Sequence, residues 1–162
     1  TREDPGMKRL FEKFSKNYDE IHNRNIRIFG EKSDYFSEYK IKLLSDFYAK
    51  NKTSKAINIL DLGCGIGKIE RYFFLYFPKS KVYGIDTSQG SIKIALSANT
   101  KAFFSVYDGE NIPFKDNFFD AVILSCVLHH IPPDRRNKII KEIHRVLKKN
   151  GYLLVSLKLL FV

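Results

Sequence analysis

Residues 59–67 read Ile-Leu-Asp-Leu-Gly-Cys-Gly-Ile-Gly: an acid, Asp61, stands two positions ahead of three alternating glycines, Gly63, Gly65 and Gly67, with Cys64 between the first two. Glycines in such a turn let the chain reverse sharply and let a ligand touch bare backbone. A helix opening there offers free N–H groups to an electron-rich ligand group. The spacing is GxGxG; a dinucleotide fingerprint of the GxGxxG type wants glycine at position 68, where this chain has Lys68. Further on, Asp86 ends the apolar run Val82 to Ile85. A carboxylate about twenty residues beyond the glycines can accept both hydroxyls of a ribose, a geometry that several nucleotide cofactors share. The other use for Asp86 is at a helix N-cap, with Thr87 or Ser88.

These residues need strands that end just before them and helices that begin just after. Apolar patterning predicts strands over Ile57–Leu62, Val82–Ile85, Ala102–Tyr107, Phe119–Val127 and Tyr152–Leu157. It predicts helices over Lys68–Phe77, stopped by Pro78, and over Ser88–Ala98. A further helix lies within Asp134–Asn150, where Ile139, Ile140, Ile143, Val146 and Leu147 recur at helical spacing and Gly151 is the stop signal. Alternation of this kind implies βαβ units: an α/β, Rossmann-like parallel sheet with helices on both faces and right-handed crossovers. Ahead of it, Leu10, Phe11, Phe14 and Tyr18 mark an amphipathic helix over Pro5–Tyr18. A second helix is expected over Ser33–Lys50, with Phe36, Tyr39, Ile41, Leu43, Leu44 and Phe47 as its apolar positions. The polar stretch Asn51–Lys55 divides a helical cap, residues 1–55, from the core, residues 56–162.

The chain has 162 residues, 44% of them hydrophobic and 28% charged, a globular composition large enough for one buried core. No apolar run approaches the roughly 18 residues of a membrane span. Thr1–Lys16 mixes both signs of charge, unlike a signal peptide. The two cysteines, Cys64 and Cys126, have neither CxxC nor metal-ligand spacing, so a reducing, cytoplasmic setting and no metal are expected. The net charge is +10, and seven bases against two acids within Asp134–Asn150 supply half of it. Helical spacing puts those bases opposite the apolar stripe. A solvated helix face is the expectation, an anionic partner the alternative, and nucleic acid an unfavoured one.

The Asp61–Gly67 run resembles motif I, D/E-x-G-x-G-x-G, of class I S-adenosylmethionine-dependent methyltransferases, and every position of that motif is filled. Three other segments are similar to the same family in order and spacing. Tyr107-Asp108-Gly109-Glu110 looks like the segment after strand three, where an acid faces the adenine amino group. Asn117-Phe118-Phe119-Asp120-Ala121-Val122 resembles the lead into strand four. Leu128-His129-His130-Ile131 resembles the "LHHI" segment of small-molecule methyltransferases related to ubiquinone and menaquinone biosynthesis. The resemblance covers about Ile57–Leu157. It implies that S-adenosylmethionine binds through Asp61, Gly63, Cys64, Gly65, Gly67, Asp86, Thr87, Asp108, Gly109 and Ser125, and that S-adenosylhomocysteine is the product.

The resemblance also implies in-line displacement of a sulfonium methyl group by a small-molecule acceptor, with positioning as the protein's main work. His129 and His130 are the expected catalytic bases, since imidazole titrates near neutrality. Tyr18, in a stretch that resembles the family's F-D-x-x-A-x-x-Y-D prelude, is expected to pack over the cofactor. Asp120 is read as structural. The full family fold has seven strands, whereas this sequence stops after the fifth. A shortened piece of a longer protein, a partner on the open edge, and a domain that tolerates the loss all remain open. The second of these includes a homodimer through residues 152–162. A non-catalytic S-adenosylmethionine-binding protein is the alternative function. An NAD(P)-dependent oxidoreductase and an aminopropyltransferase fit the segments less well.

Overall fold

The computed structural model describes residues 37–50, 56–98 and 101–156. Five strands, β1 (Asn58–Leu62), β2 (Lys81–Asp86), β3 (Phe103–Val106), β4 (Phe119–Ser125) and β5 (Leu147–Ser156), form one sheet in the order β3-β2-β1-β4-β5. All four pairings are parallel. The helices are α1 (37–50), α2 (Glu70–Tyr76), α3 (Gln89–Ala98) and α4 (Pro133–Val146), with a short 3-10 turn at Leu128–His130.

Strand alternation sends successive side chains to opposite faces, and both faces are covered. On one face Ile59, Val82, Ala121 and Ile123 pack with Ile41, Leu44 and Tyr48 of α1 and Phe73 of α2. On the other, Leu60, Leu62, Ile85, Val122 and Leu124 pack with Ile139, Ile143 and Val146 of α4. Each fully buried aliphatic or aromatic side chain contributes about 1.5–3 kcal/mol to this arrangement. The α/β reading with helices on both faces therefore stands.

Three details depart from the sequence expectation. The last strand begins at Leu147 rather than Tyr152, because α4 passes into it without a loop. Leu147 pairs with Phe119 and Tyr152 with Ala121, so the register is irregular between them. Gly151 is accordingly no helix stop. It lies inside β5, where a Cβ would come within 3.0 Å of Lys148 O and 3.1 Å of Asp120 O. Lys148 and Lys149 leave the helix face with it. In α1, the buried stripe is Ile41, Leu44 and Tyr48, while Tyr39, Leu43 and Phe47 are about half exposed. Tyr18 and the tail beyond residue 156 lie outside the described residues.

The lower ends of the strands meet on one side chain, Asp120. Its carboxylate accepts from Asn58 N (2.9 Å) and from Lys148 Nζ (2.8 Å), and its carbonyl accepts from Tyr48 Oη (2.6 Å). Much of the positive charge near α4 is likewise paired. Arg135 and Lys138 both reach Glu110, and Arg145 reaches Glu142 and Asp116. Exposed pairs of this kind stabilise little, but they offset part of the positive charge on that face. Among the described residues, no helix is long and apolar enough to cross a membrane.

Candidate cofactor site

In the order β3-β2-β1-β4-β5 the succession of strands across the sheet reverses between β1 and β4, and the crevice beyond the carboxyl ends of those two strands is where open parallel sheets bind ligands. A small open cavity lies there, lined by Asp61, Gly63, Cys64, Lys68, Ile69 and Ser125. Asp61 comes from β1 and Ser125 from β4, so the two strands flank the crevice with polar groups.

The glycine turn follows from its backbone. Gly63, Gly65 and Gly67 have φ of 78°, 55° and 74°, in the left-handed region. Gly63 has a second requirement, since a Cβ there would sit 2.4 Å from Val127 Cγ2 in the loop after β4. The turn is pinned to β2: Gly63 N and Cys64 N donate to Ile85 O at 2.7 and 3.1 Å, and Gly65 N donates to Asp86 Oδ2 at 2.9 Å. In front of Gly65 the space is open. Cys64 is buried beneath, and burial together with Asp61, Glu70 and Asp86 pushes its thiol far up. Both cysteines are free thiols.

Asp86 does two jobs at the end of β2. Its Oδ2 holds the glycine turn, and its Oδ1 accepts from Ser88 N at 2.8 Å at the start of α3. Ser88 Oγ in turn accepts from Ser91 N, capping that helix. Thr87 lies against the next loop, its Cγ2 3.2 Å from where a Cβ on Gly109 would be. Asp108 is exposed and ties its own loop: Oδ1 accepts from Glu110 N and Asn111 N, and Oδ2 from Asn111 Nδ2. Those donors hold its carboxyl below the usual range. Tyr107 stands between the two acids, and burial and their charge push its hydroxyl up to about 12. His129 and His130 occupy the exposed 3-10 turn after β4, with ring centroids 4.0 Å apart.

The structure thus brings Asp61, Gly63, Cys64 and Ser125 to one cavity and Asp86 to its edge. Asp108, Thr87 and Gly109 stand along the neighbouring loops. Sequence reasoning missed Lys40, whose Nζ donates to Ser125 Oγ at 2.9 Å from α1, and Glu70, wholly buried beside Asp61. It also missed Lys68 and Ile69 as lining. These residues fit a cationic nucleoside cofactor: open space faces the glycine turn, an acid ends the next strand, and Asp61 Oδ1 is buried in the cavity wall with no hydrogen-bond partner among the described residues.

Residues 60–155 match the family described as methyltransferase domain. Over 99 residues, 60% of this chain, the sequence is 39% identical to a tRNA (carboxymethyluridine(34)-5-O)-methyltransferase of Arabidopsis thaliana, of which it covers 23%. Over 97 residues it is 32% identical to a demethylmenaquinone methyltransferase of Thermotoga maritima, of which it covers 42%. A TehB-like S-adenosylmethionine-dependent methyltransferase structure from Corynebacterium glutamicum superposes with a TM-score of 0.69 at 26% identity, over 89% of this chain and 72% of that one. The chain spans less than half the length of these two curated relatives.

Proposed function

Because the chain belongs to the methyltransferase domain family, we propose that it binds S-adenosylmethionine across the β1–β4 crevice and transfers a methyl group to an acceptor. One observation carries this reading: the glycine turn, the buried carboxyl of Asp61 and the acid ending β2 converge where the sheet order reverses. The cofactor, when bound, supplies an electrophilic methyl group on a sulfonium that leaves readily. The chain's own residues have to hold and orient it. Asp86 accepts the ribose hydroxyls with the lone pairs left by Gly65 and Ser88. Asp108 Oδ2, which has one donor, keeps a lone pair for the adenine amino group. Asp61 and Ser125 flank the methionine end. Orientation of this kind can supply up to about 7–11 kcal/mol of the barrier.

His129 and His130 take the role of general base where the acceptor has to lose a proton. Positioned proton transfer contributes about 10²- to 10⁴-fold. The double substitution His129→Ala/His130→Ala is therefore expected to lower turnover at least about 100-fold while S-adenosylhomocysteine binding persists. Turnover within a few-fold of the parent would remove the histidines from the mechanism.

The acceptor follows from less. The Thermotoga relative, named for demethylmenaquinone, supports the first reading, a small-molecule acceptor. The Arabidopsis relative, named for a tRNA nucleoside, supports the second reading, an RNA acceptor. Incubation with methyl-labelled S-adenosylmethionine and either hydroxylated aromatic compounds or total tRNA separates the two. Label in the small compounds upholds the first, and label in tRNA replaces it with the second. Cofactor binding without transfer to either points to a non-catalytic binding domain.

A further inference from the structure

Asp61 and Glu70 are 2% and 0% exposed, and three of their four carboxyl oxygens, Asp61 Oδ1 and both of Glu70, have no hydrogen-bond partner among the described residues. The two carboxyls interact with each other. Two carboxylates are both acceptors and cannot satisfy one another; a carboxylic acid and a carboxylate can. Burying both as anions carries a penalty of several kcal/mol per ion, with like-charge repulsion added. One proton on the pair removes the repulsion and supplies a missing donor.

The surroundings say which residue keeps it. Burial raises both groups. Asp61 raises Glu70 further, by charge and by hydrogen bonding, whereas the hydrogen bond from Glu70 lowers Asp61. The backbone N–H groups of Glu70 and Ile69, near its carboxyl but not in hydrogen-bond geometry with it, oppose this to a smaller extent. Asp86 of β2 raises Asp61, and Lys40 of α1 lowers it. Lys68 lines the same cavity as Asp61, and the Cys64 thiol beside them is held neutral. Asp61 is part of the cavity wall and Glu70 lies behind it.

We propose that Glu70 is a neutral positioning acid that donates its hydrogen to Asp61, and that a cationic amine entering the cavity is met by Asp61 as the sole anion, any proton on Asp61 passing to solvent as the amine binds. This rests on the cofactor reading above, because the α-amino group of S-adenosylmethionine or its demethylated product is the amine concerned. Binding then releases protons at acidic pH and ceases to do so once Asp61 is already ionised. Affinity climbs with pH over that interval and falls again once the amine itself loses its proton.

Two measurements on the full chain decide it. Infrared spectra without ligand, at about pH 8, where an ordinary carboxyl is fully ionised, are expected to show a neutral-carboxyl stretch that Glu70→Gln removes. Calorimetry with S-adenosylhomocysteine, in buffers of different ionisation enthalpy, is expected to show proton release that declines from about pH 6 to about pH 9 and is absent in Asp61→Asn. Glu70→Gln, which retains a donor, should keep affinity within about threefold, while Glu70→Leu should lose at least about tenfold at neutral pH and recover as pH rises. Absence of the infrared band, buffer-independent heats at every pH, or equal losses in the Gln and Leu variants would overturn the proposal. A folded chain that shows the band but binds no S-adenosylhomocysteine would uphold the neutral Glu70 and overturn both the amine half and the cofactor reading.

Discussion

Asp86→Ala is expected to weaken S-adenosylhomocysteine binding by at least about 100-fold, because a hydrogen bond to a charged group is worth about 1.5–3 kcal/mol and two ribose hydroxyls lose theirs. The same substitution strips Gly65 N and Ser88 N of their acceptors, so the glycine turn loses its tie to β2. Asp86→Asn separates the two effects. One amide oxygen remains, so the variant is expected to bind with intermediate affinity. Calorimetric titration of both variants, under conditions where circular dichroism shows them folded, is the check. Affinity within a few-fold of the parent in Asp86→Ala would mean that the ribose is held elsewhere.

The largest effect on stability is expected from Arg145. Its guanidinium donates to Glu142 Oε1 and Oε2, to the carbonyls of Ile112 and Phe114, and to Asp116 Oδ1. Glu142 also accepts from Ile112 N, so helix α4 holds the loop between β3 and β4 through one charged fork. Arg145→Ala leaves the mostly buried Glu142 carboxylate and two carbonyls short of donors, which is expected to cost about 2–4 kcal/mol, with little of it from the exposed Asp116. Arg145→Lys cannot reproduce the fork and should recover less than half. The pH dependence has a definite sign. Arg145, first among the causes, holds Glu142 below its ordinary value. That contribution is present above the unfolded carboxylate range and is lost as pH falls through the folded value. Denaturant midpoints should therefore show a steeper acid decline in the parent than in Arg145→Ala, and matching profiles would contradict the arrangement.

The glycine turn, Asp86 and the order of strands and helices were legible because each is local: a few consecutive residues state the turn, and strand periodicity states the rest. Glu70 was not. Its neighbour Asp61 is reached only after the turn folds back, and nothing in Lys-Ile-Glu-Arg distinguishes a buried acid from a helix-start acid on the surface. Lys40 and Ser125 are 85 positions apart, beyond any local signal. The start of β5 was hidden because Lys148-Lys149-Asn150 has the composition of an exposed helix end, while pairing with β4 overrides it. In α1, apolar residues occupy both sides of the helix, so periodicity did not say which side meets the sheet. The paired bases near α4 belong to the same class, for all their acid partners but Glu142 come from other segments.

The loopless passage from α4 into β5 has a consequence for how a domain of this kind can change. At that end of the sheet Asp120 ties β1, β4, β5 and α1 together, and Gly151 is pressed against neighbouring backbone. An insertion between Val146 and Leu147 would displace Lys148 from Asp120 and Gly151 from the backbone beside it. At the opposite end, the connection after β4 runs out to solvent at His129 and His130. Length and sequence can drift there without disturbing the locked end, so new acceptor specificity can be grafted onto one rim while the other keeps the scaffold unaltered.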